Sequence, residues 1–263
     1  MDQSTDAYLP VNIAQRIDGV GVTKAHLPTL KLLALSVLAG AFIGFGAMFF
    51  TVVVTESGLG FGPSRFLGGI AFSLGLILVV VGGAELFTGN NLLVMAWADK
   101  KITTRQLLRN WSLVFCGNFI GAVATAYMLV QSGTLDMGDG AVASTAIKIA
   151  QAKVNIPPLQ AFVRGILCNA LVCLAIWLSF AAHHVSGKII AIVFPISAFV
   201  ALGFEHSIAN LYFLPVAWFM GADGIDLTSA LANLLPVTLG NVVGGSVFVA
   251  LIYWMIYLRQ PDK

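Results

Sequence analysis

Six long apolar stretches alternate along the chain with shorter polar segments. They cover about residues 30–54, 66–97, 106–131, 158–182, 188–220 and 229–258. A helix crosses the hydrocarbon core of a bilayer with roughly 20 apolar residues, and each stretch is long enough to do so. The pattern therefore predicts an all-α integral membrane protein with six transmembrane helices and no second domain.

The chain also contains an internal repeat. Gly83-Ala-Glu85-Leu-Phe-Thr88-Gly-Asn90 in the second stretch matches Gly203-Phe-Glu205-His206-Ser207-Ile-Ala-Asn210 in the fifth, because 205 − 85 and 210 − 90 both equal 120. Gly117-Asn118-x-x-Gly121 likewise matches Gly240-Asn241-x-x-Gly244. Each half holds three crossings, an odd number, so the second half enters the membrane from the opposite face. The sequence thus predicts two inverted three-helix repeats, with breaks in the second and fifth helices near mid-membrane.

Composition and charge narrow the class of protein. Charged residues make up 10% of the chain and the formal net charge is +2, which is too small to indicate a nucleic-acid partner. The predicted spans place ten basic residues on one side, namely Arg16, Lys24, Lys31, Lys100, Lys101, Arg105, Arg109, Lys188, Arg259 and Lys263. Four lie on the other side, namely Arg65, Lys148, Lys153 and Arg164. By the positive-inside rule, both termini are expected in the cytoplasm.

The predicted organisation has three parts. Residues 1–29 form a cytoplasmic segment that lacks the apolar core of a signal peptide, and its Val11, Ile13, Ile17 and Val20 are expected to line one face of a short amphipathic helix. Residues 30–258 form the transmembrane domain, with repeats at about 30–131 and 158–258. Residues 259–263 form a cytoplasmic tail.

Ionisable side chains deep in the spans indicate the chemistry. Glu85, Glu205 and His206 fall there, although a charge at the bilayer centre costs at least about 2.5–3.5 kcal/mol on insertion scales. We expect the two carboxylates to accept hydrogen bonds from backbone N–H groups freed by the breaks. His206 lies at the second break, opposite Thr88 in the first, and an imidazole can donate a hydrogen bond or a proton near neutral pH. These features favour a pathway for a small weak-acid anion.

The repeated segments resemble the formate/nitrite transporter family. Gly165-Ile-Leu-Cys-Asn169 and Thr238-Leu-Gly-Asn241 extend the resemblance over nearly the whole chain. It implies an aquaporin-like protomer, a homopentamer with one pore per subunit, and a bacterial cytoplasmic (inner) membrane. Leu9-Pro10, the stretch from Gly19 to Ala25 and the stretch from Phe72 to Leu76 are most like formate channels. The implied function is passive or proton-coupled transport of formate, with protons and the lipid bilayer as further partners. No enzyme activity, cofactor, metal or nucleic acid is implied.

The resemblance also implies roles for single residues along the pathway. It gives an outer constriction of Phe72 and Phe199 and an inner constriction of Leu76, Leu86 and Val172. His206 and Thr88 would lie between the two constrictions with Asn169 nearby, and Lys153 would draw anions into the outer vestibule. Asn90 and Asn210 would join Glu85 and Glu205 in supporting the breaks.

Several alternatives remain open from the sequence. Gly89-Asn90 after Thr88 is closer to nitrite-type members of the family, so nitrite or hydrosulfide is the alternative substrate. A water or glycerol facilitator would need paired Asn-Pro-Ala boxes, and an ATP-driven pump would need a phosphate-binding loop; the sequence contains neither. A further hypothesis is that the amino-terminal helix closes the cytoplasmic mouth at low pH.

Overall fold

The computed structural model describes residues 7–259, which are helical and contain no β-strand. The first half contains α1 (Pro10–Ala25), α2 (Thr29–Val54), α3 (Phe61–Gly82), α4 (Val94–Ala98) and α5 (Thr104–Gln131). The second half contains α6 (Ala141–Val154), α7 (Pro158–Ala181), α8 (Val185–Ala201), α9 (Ser207–Phe219), α10 (Leu227–Gly245) and α11 (Ile252–Tyr257). Short 3-10 segments lie at Gly89–Leu93 and Thr134–Asp136, and a π-helical segment, Ser246–Leu251, joins α10 to α11.

These helices provide six membrane crossings. Helices α2, α3, α5 and α7 and the continuous run Leu227–Tyr257 are each long and apolar enough to span a bilayer. Helices α8 and α9 are shorter but apolar, and together they make the remaining crossing. Large apolar side chains such as Phe45, Phe119 and Leu239 stay exposed on the bundle, as expected where lipid replaces water as the solvent. The predicted all-α fold with six crossings is confirmed.

Both predicted helix breaks are present. Helix α3 ends at Gly82, and Gly83 has a φ of 81°. Helix α8 ends at Ala201, and Gly203 has a φ of 71°. Residues with a Cβ are strained at such angles, so the glycine of each Gly-x-Glu motif turns the chain out of its helix. Beyond the break the halves differ, because the chain resumes as a 3-10 turn in the first half and as the regular helix α9 in the second.

The two halves pack in the same way. Helix α2 lies against α5 in the first half, and α7 lies against α10 in the second. A Cβ added to Gly121 would lie 1.9 Å from the carbonyl oxygen of Val37, and one added to Gly244 would lie 2.1 Å from that of Ile166. The Gly-x-x-x-Gly pairs therefore set how closely the helix backbones approach.

Helix α6 is absent from the sequence-based prediction and occupies part of the polar segment between the repeats. Its Ala150 packs with Leu214 and Ala217 of α9 in a small apolar cluster. Helix α6 leads into the second half as α1 leads into the first, since Pro28 and Pro157 precede α2 and α7 with closely similar backbone angles. The segments that enter the bundle are thus repeated as well.

The amino-terminal segment forms α1, which packs on the bundle. Ile13 and Ile17 are buried, whereas Val11 is exposed, so the apolar face of α1 is narrower than the sequence suggested. Residues 260–263, which make up most of the expected tail, lie outside the described residues.

Candidate functional site

Two cavities open at opposite ends of α3. The first, here called the α1 cavity, has a volume of about 250 Å³ and is lined by residues that include Arg16, Lys24, Glu85, Leu86, Asn90 and Lys188. The second, the α6 cavity, has a volume of about 210 Å³ and is lined by residues that include Phe72, Lys153, Arg164, Phe199, Glu205 and His206. Each cavity contains the Gly-x-Glu segment of one repeat, so the cavities follow the inverted symmetry of the chain.

Apolar side chains separate the two cavities. On α3, Leu76 lies between Phe72, which lines the α6 cavity, and Val79, which lines the α1 cavity. Leu76, Leu86 and Val172 are at most 2% exposed and belong to one buried apolar cluster. The rings of Phe72 and Phe199 meet edge to face, with centroids 5.5 Å apart. The structure therefore brings together the five apolar residues that the resemblance assigned to the two constrictions.

The two helix breaks meet at His206 and Thr88. The imidazole Nε2 lies 3.0 Å from the hydroxyl oxygen of Thr88, and both residues are buried. The backbone N–H of Ala209 donates to Nδ1 over 3.1 Å, so His206 is the N-cap of α9. Because Nδ1 must accept this bond, the proton of a neutral imidazole lies on Nε2, and Nε2 is the donor toward Thr88.

Asn169 joins the two halves beside this contact. Its side-chain amide lies 3.2 Å from the carbonyl oxygen of Thr88, 2.8 Å from the side-chain oxygen of Asn91 and 2.6 Å from the carbonyl oxygen of Asn241. The amide nitrogen is surrounded by oxygens of the protein itself. Asn169 therefore fixes the backbone that carries Thr88.

Each break carries the same buried polar network. In the first half, Asn90 donates to Glu85 over 2.7 Å and to Asn110 over 2.9 Å, and Lys24 lies 3.2 Å from the Glu85 carboxylate. In the second half, Asn210 donates to Glu205 and to Asn233 over 2.7 Å each, and Lys153 lies 2.9 Å from the Glu205 carboxylate. Asn110 and Asn233 in turn donate to the carbonyl oxygens of Lys24 and Lys153.

These networks change the interpretation of the two glutamates. The sequence led us to expect backbone N–H groups as their donors, but the carboxylates of Glu85 and Glu205 bind Asn and Lys side chains instead. The freed backbone groups are bound by Asn118 and Asn241. Asn118 accepts from the N–H of Phe87 over 2.8 Å and donates to the carbonyl oxygens of Ser36 and Glu85.

Asn241 repeats every one of these contacts in the second half. It accepts from the N–H of Ser207 and donates to the carbonyl oxygens of Gly165 and Glu205. The repeated Gly-Asn motif was visible in the sequence and was the signal for this role. Side-chain amides suit it because they donate and accept without a charge.

Lys153 lines the α6 cavity and is paired there with a carboxylate. Its ammonium forms an ion pair with Glu205 and lies 5.3 Å from the centre of the Phe213 ring. Lys24, which the sequence reading counted among the cytoplasmic charges alone, forms the equivalent pair with Glu85. Among the described residues, three cations and one carboxylate nevertheless line each cavity, with Arg16 and Lys188 added in the α1 cavity and Arg65 and Arg164 in the α6 cavity. Both cavities therefore attract anions.

Nothing in the described part of the chain indicates a metal centre. Between residues 7 and 259, no group of three or more His, Cys, Asp or Glu side chains is placed to hold a metal ion. Cys168 and Cys173 are buried and unpaired. The arrangement is one of polar donors inside an apolar barrier between two positively charged cavities.

Known proteins resemble this chain over nearly its whole length. A family model described as formate/nitrite transporter matches residues 11–255. The formate channel FocA of Escherichia coli (strain K12) is 38% identical over 99% of this chain and 98% of that protein. A probable formate transporter of Methanothermobacter thermautotrophicus is 40% identical over 95% of this chain and 97% of that protein. A solved structure described as a pentameric formate channel with formate bound is 39% identical, with a TM-score of 0.82, and the match covers 88% of this chain and 98% of that one.

Proposed function

The chain belongs to the formate/nitrite transporter family, and on this premise we propose that it carries formate across the membrane through a pore in each subunit. The pore runs from one cavity to the other past the Phe72–Phe199 pair, the His206–Thr88 pair and the cluster of Leu76, Leu86 and Val172. The names of the related channels support formate as the substrate.

The contact between His206 and Thr88 carries the proposal. It places an N–H donor and a hydroxyl group inside a barrier that is otherwise apolar. Moving an unpaired carboxylate into such surroundings is costly, and hydrogen bonds to a charged oxygen are stronger than those between neutral groups. Formate would replace Thr88 as the acceptor of the Nε2 proton and would accept a second bond from the Thr88 hydroxyl.

The N-cap contact supports one of the two roles that the sequence left open for His206, that of a hydrogen-bond donor. A second proton on the ring would have to sit on Nδ1, which already accepts the N–H of Ala209. Loss of the Nε2 proton would leave an imidazolate anion in an apolar site. His206 therefore acts as a fixed hydrogen-bond donor, and the proton that neutralises formate comes from water in the cavity.

Formate takes up this proton because it leaves water on entering the barrier. Leaving water disfavours the charged form of a carboxylate and raises its pKa. Formate that enters from the α6 cavity, drawn by its excess of positive charge, binds His206 and Thr88 as the anion. It takes up a proton there from cavity water, which leaves hydroxide in the cavity, and it crosses the cluster of Leu76, Leu86 and Val172 as formic acid. It loses the proton again in the opposite cavity, so one proton accompanies each formate.

The same proposal covers assembly and orientation. The chain forms homopentamers in a bacterial cytoplasmic membrane, with both termini and the α1 cavity on the cytoplasmic side. The excess of Lys and Arg on that side supports this orientation, and the description of the solved relative as pentameric supports the assembly.

A flux panel in proteoliposomes tests the proposal. Formate, nitrite, acetate, lactate and glycerol are compared across an imposed pH gradient, with the His206→Ala variant as the reference for the role of the imidazole. We expect formate to move fastest, to carry protons with it, and to slow in the variant. If nitrite is transported faster than formate, the substrate is nitrite, the alternative anion. Transport of glycerol alone would overturn the weak-acid mechanism.

A further inference from the structure

Two arginines line the α6 cavity at positions that the repeat does not share. Arg65 lies on α3 and Arg164 on α7. The repeat equivalent of Arg164 is Leu35, because the Glu205 N–H donates to the carbonyl oxygen of Arg164 as the Glu85 N–H donates to that of Leu35. The first break thus forms with a leucine at the position of Arg164, so the charge of Arg164 is not needed to build a helix break and requires a different explanation.

The guanidinium of Arg65 is held in place by the end of α8. It donates to the carbonyl oxygens of Ala201 over 2.8 Å and Val200 over 2.5 Å, which lie next to the break. Its Nη2 also lies against Gly203, 3.4 Å from where a Cβ would stand. An arginine has five N–H donors, so Arg65 retains donors beyond the two used here.

Arg164 has no such anchor. Within residues 7–259, its guanidinium has neither a hydrogen-bond acceptor nor an ion-pair partner, although the residue is partly buried. The carboxylate of Glu205, which also lines the cavity, is already engaged, since it binds Lys153 through one oxygen and Asn210 through the other. The cavity thus holds two cationic side chains that pair with no carboxylate of the described residues.

We propose that Arg65 and Arg164 form an anion-binding site in the α6 cavity, which captures a small carboxylate before it reaches His206. The inference rests on formate transport as proposed above and adds a capture step. The two oxygens of a carboxylate match guanidinium donors in geometry as well as charge. Arg65 supplies a donor held by the end of α8, Arg164 supplies donors that no described residue occupies, and Lys153 remains paired with Glu205. The site belongs to one mouth of the pore, so its effect depends on the side from which the substrate enters.

The test compares Arg164→Leu with the parent in right-side-out and inside-out membrane vesicles, with the side of α1 fixed by protease access to an amino-terminal tag. Arg164→Leu should fold, because the Arg164 side chain has no described partner to lose. We expect the half-saturation concentration for formate entering from the α6 side to rise about tenfold, and that for entry from the α1 side to stay the same. Arg164→Lys should fall between the two.

Arg105→Leu is the matched control, because it removes one exposed arginine that lines neither cavity. An unchanged half-saturation concentration in Arg164→Leu, an equal rise from both sides, or an equal rise in Arg105→Leu would each overturn the capture site.

A second measurement separates this inference from the proposed function. Phenylglyoxal modifies accessible arginines, and its reaction with Arg164 in the purified full-length chain is followed by mass spectrometry with formate or with chloride at equal ionic strength. Protection by formate but not by chloride supports the site even if the parent proves not to carry formate. Equal labelling in both salts overturns it even if formate transport is established.

Discussion

Asn118 and Asn241 are equivalent residues of the two repeats, and each closes the helix break of its own half. Both accept one backbone N–H beyond the break and donate to two carbonyl oxygens, one of them that of the neighbouring glutamate. Both are fully buried. The structure of each break therefore depends on one uncharged side chain from a neighbouring helix.

Replacing Asn118 with Ala should destabilise the protein strongly. The change leaves the N–H of Phe87 and the carbonyl oxygen of Glu85 without their side-chain partner, and each buried group left unpaired costs roughly 1–3 kcal/mol. Thermal unfolding in detergent should show a marked loss of stability for Asn118→Ala and a comparable loss for Asn241→Ala. Asn155→Ala, which removes an exposed bond to Gln151, is the control and should unfold like the parent.

Replacing Thr88 with Val tests the hydroxyl group at the centre of the pore. Valine has nearly the same shape but cannot hydrogen-bond, so formate loses a donor within the apolar barrier. We expect formate flux in proteoliposomes to fall about tenfold or more, with Thr88→Ser retaining most of it. Thr125→Val removes another buried threonine hydroxyl away from both cavities. A comparable loss of flux in Thr125→Val would assign the Thr88 effect to packing.

Replacing Gly121 with Ala should separate α2 from α5. The new Cβ would lie 1.9 Å from the Val37 carbonyl oxygen, and backbone atoms cannot rotate away as side chains can. We expect poor assembly and a lower unfolding temperature, measured by size-exclusion chromatography and thermal unfolding. Gly19→Ala on α1 meets no atom within 4 Å and should be neutral or stabilising by up to about 1 kcal/mol. Equal behaviour of the two variants would contradict the role of close backbone contact.

The ion pairs that tie α1 to Lys101 should not respond to pH near neutrality. Lys101 pairs with Asp18 of α1 and with Asp99 in the turn after α4. Hydrogen bonds to Asp18 and then Asp99 raise the pKa of Lys101, and the hydrogen bond from Lys101 lowers the pKa of Asp99. The stabilisation from Lys101 is present below the usual lysine pKa of 10.5 and is lost as the pH rises through the raised value. That from Asp99 is present above the usual 3.8 and is lost as the pH falls through the lowered value.

Amide hydrogen exchange in α1 measures this prediction directly. Between about pH 5 and pH 8, protection of the α1 amides around Asp18, corrected for intrinsic exchange, should stay constant, whereas Lys101→Met should reduce it at every pH. A loss of protection in the parent across this range would require another titrating group. The hypothesis that α1 closes the cytoplasmic mouth at low pH therefore cannot rest on the Asp18–Lys101–Asp99 cluster.

The sequence predicted the membrane crossings and the helix breaks, which depend on local sequence alone. Long apolar runs determine the crossings, and the glycines of the Gly-x-Glu motifs determine the breaks, because both follow from local composition and backbone conformation. The internal repeat then predicted that the two halves are inverted, because each half holds three crossings. Helix α6 could not be found in this way, since its residues include Lys148 and Lys153 and it is stabilised by packing on α9.

Only part of the candidate site could be predicted from the sequence, because many of its contacts form only in the tertiary fold. Partners such as Lys24 and Glu85 are distant in sequence and meet because of the tertiary fold, so neither spacing nor composition pairs them. Lys24 resembles any charge on a cytoplasmic segment until α1 is placed over the first break. The same holds for Arg164, whose significance depends on Glu205 already being engaged by Lys153 and Asn210.

The network at the first break has a consequence for biogenesis. The hydrogen-bond and ion-pair partners described for the side chains of Glu85 and Asn90 lie between Lys24 and Asn110, and Asn118 completes the backbone contacts. These polar groups can therefore be satisfied as soon as α5 has entered the bilayer, while the second half is still being synthesised. The first half can therefore form its helix break in the membrane before the second half is made. The pore is completed when the second half brings His206 to Thr88.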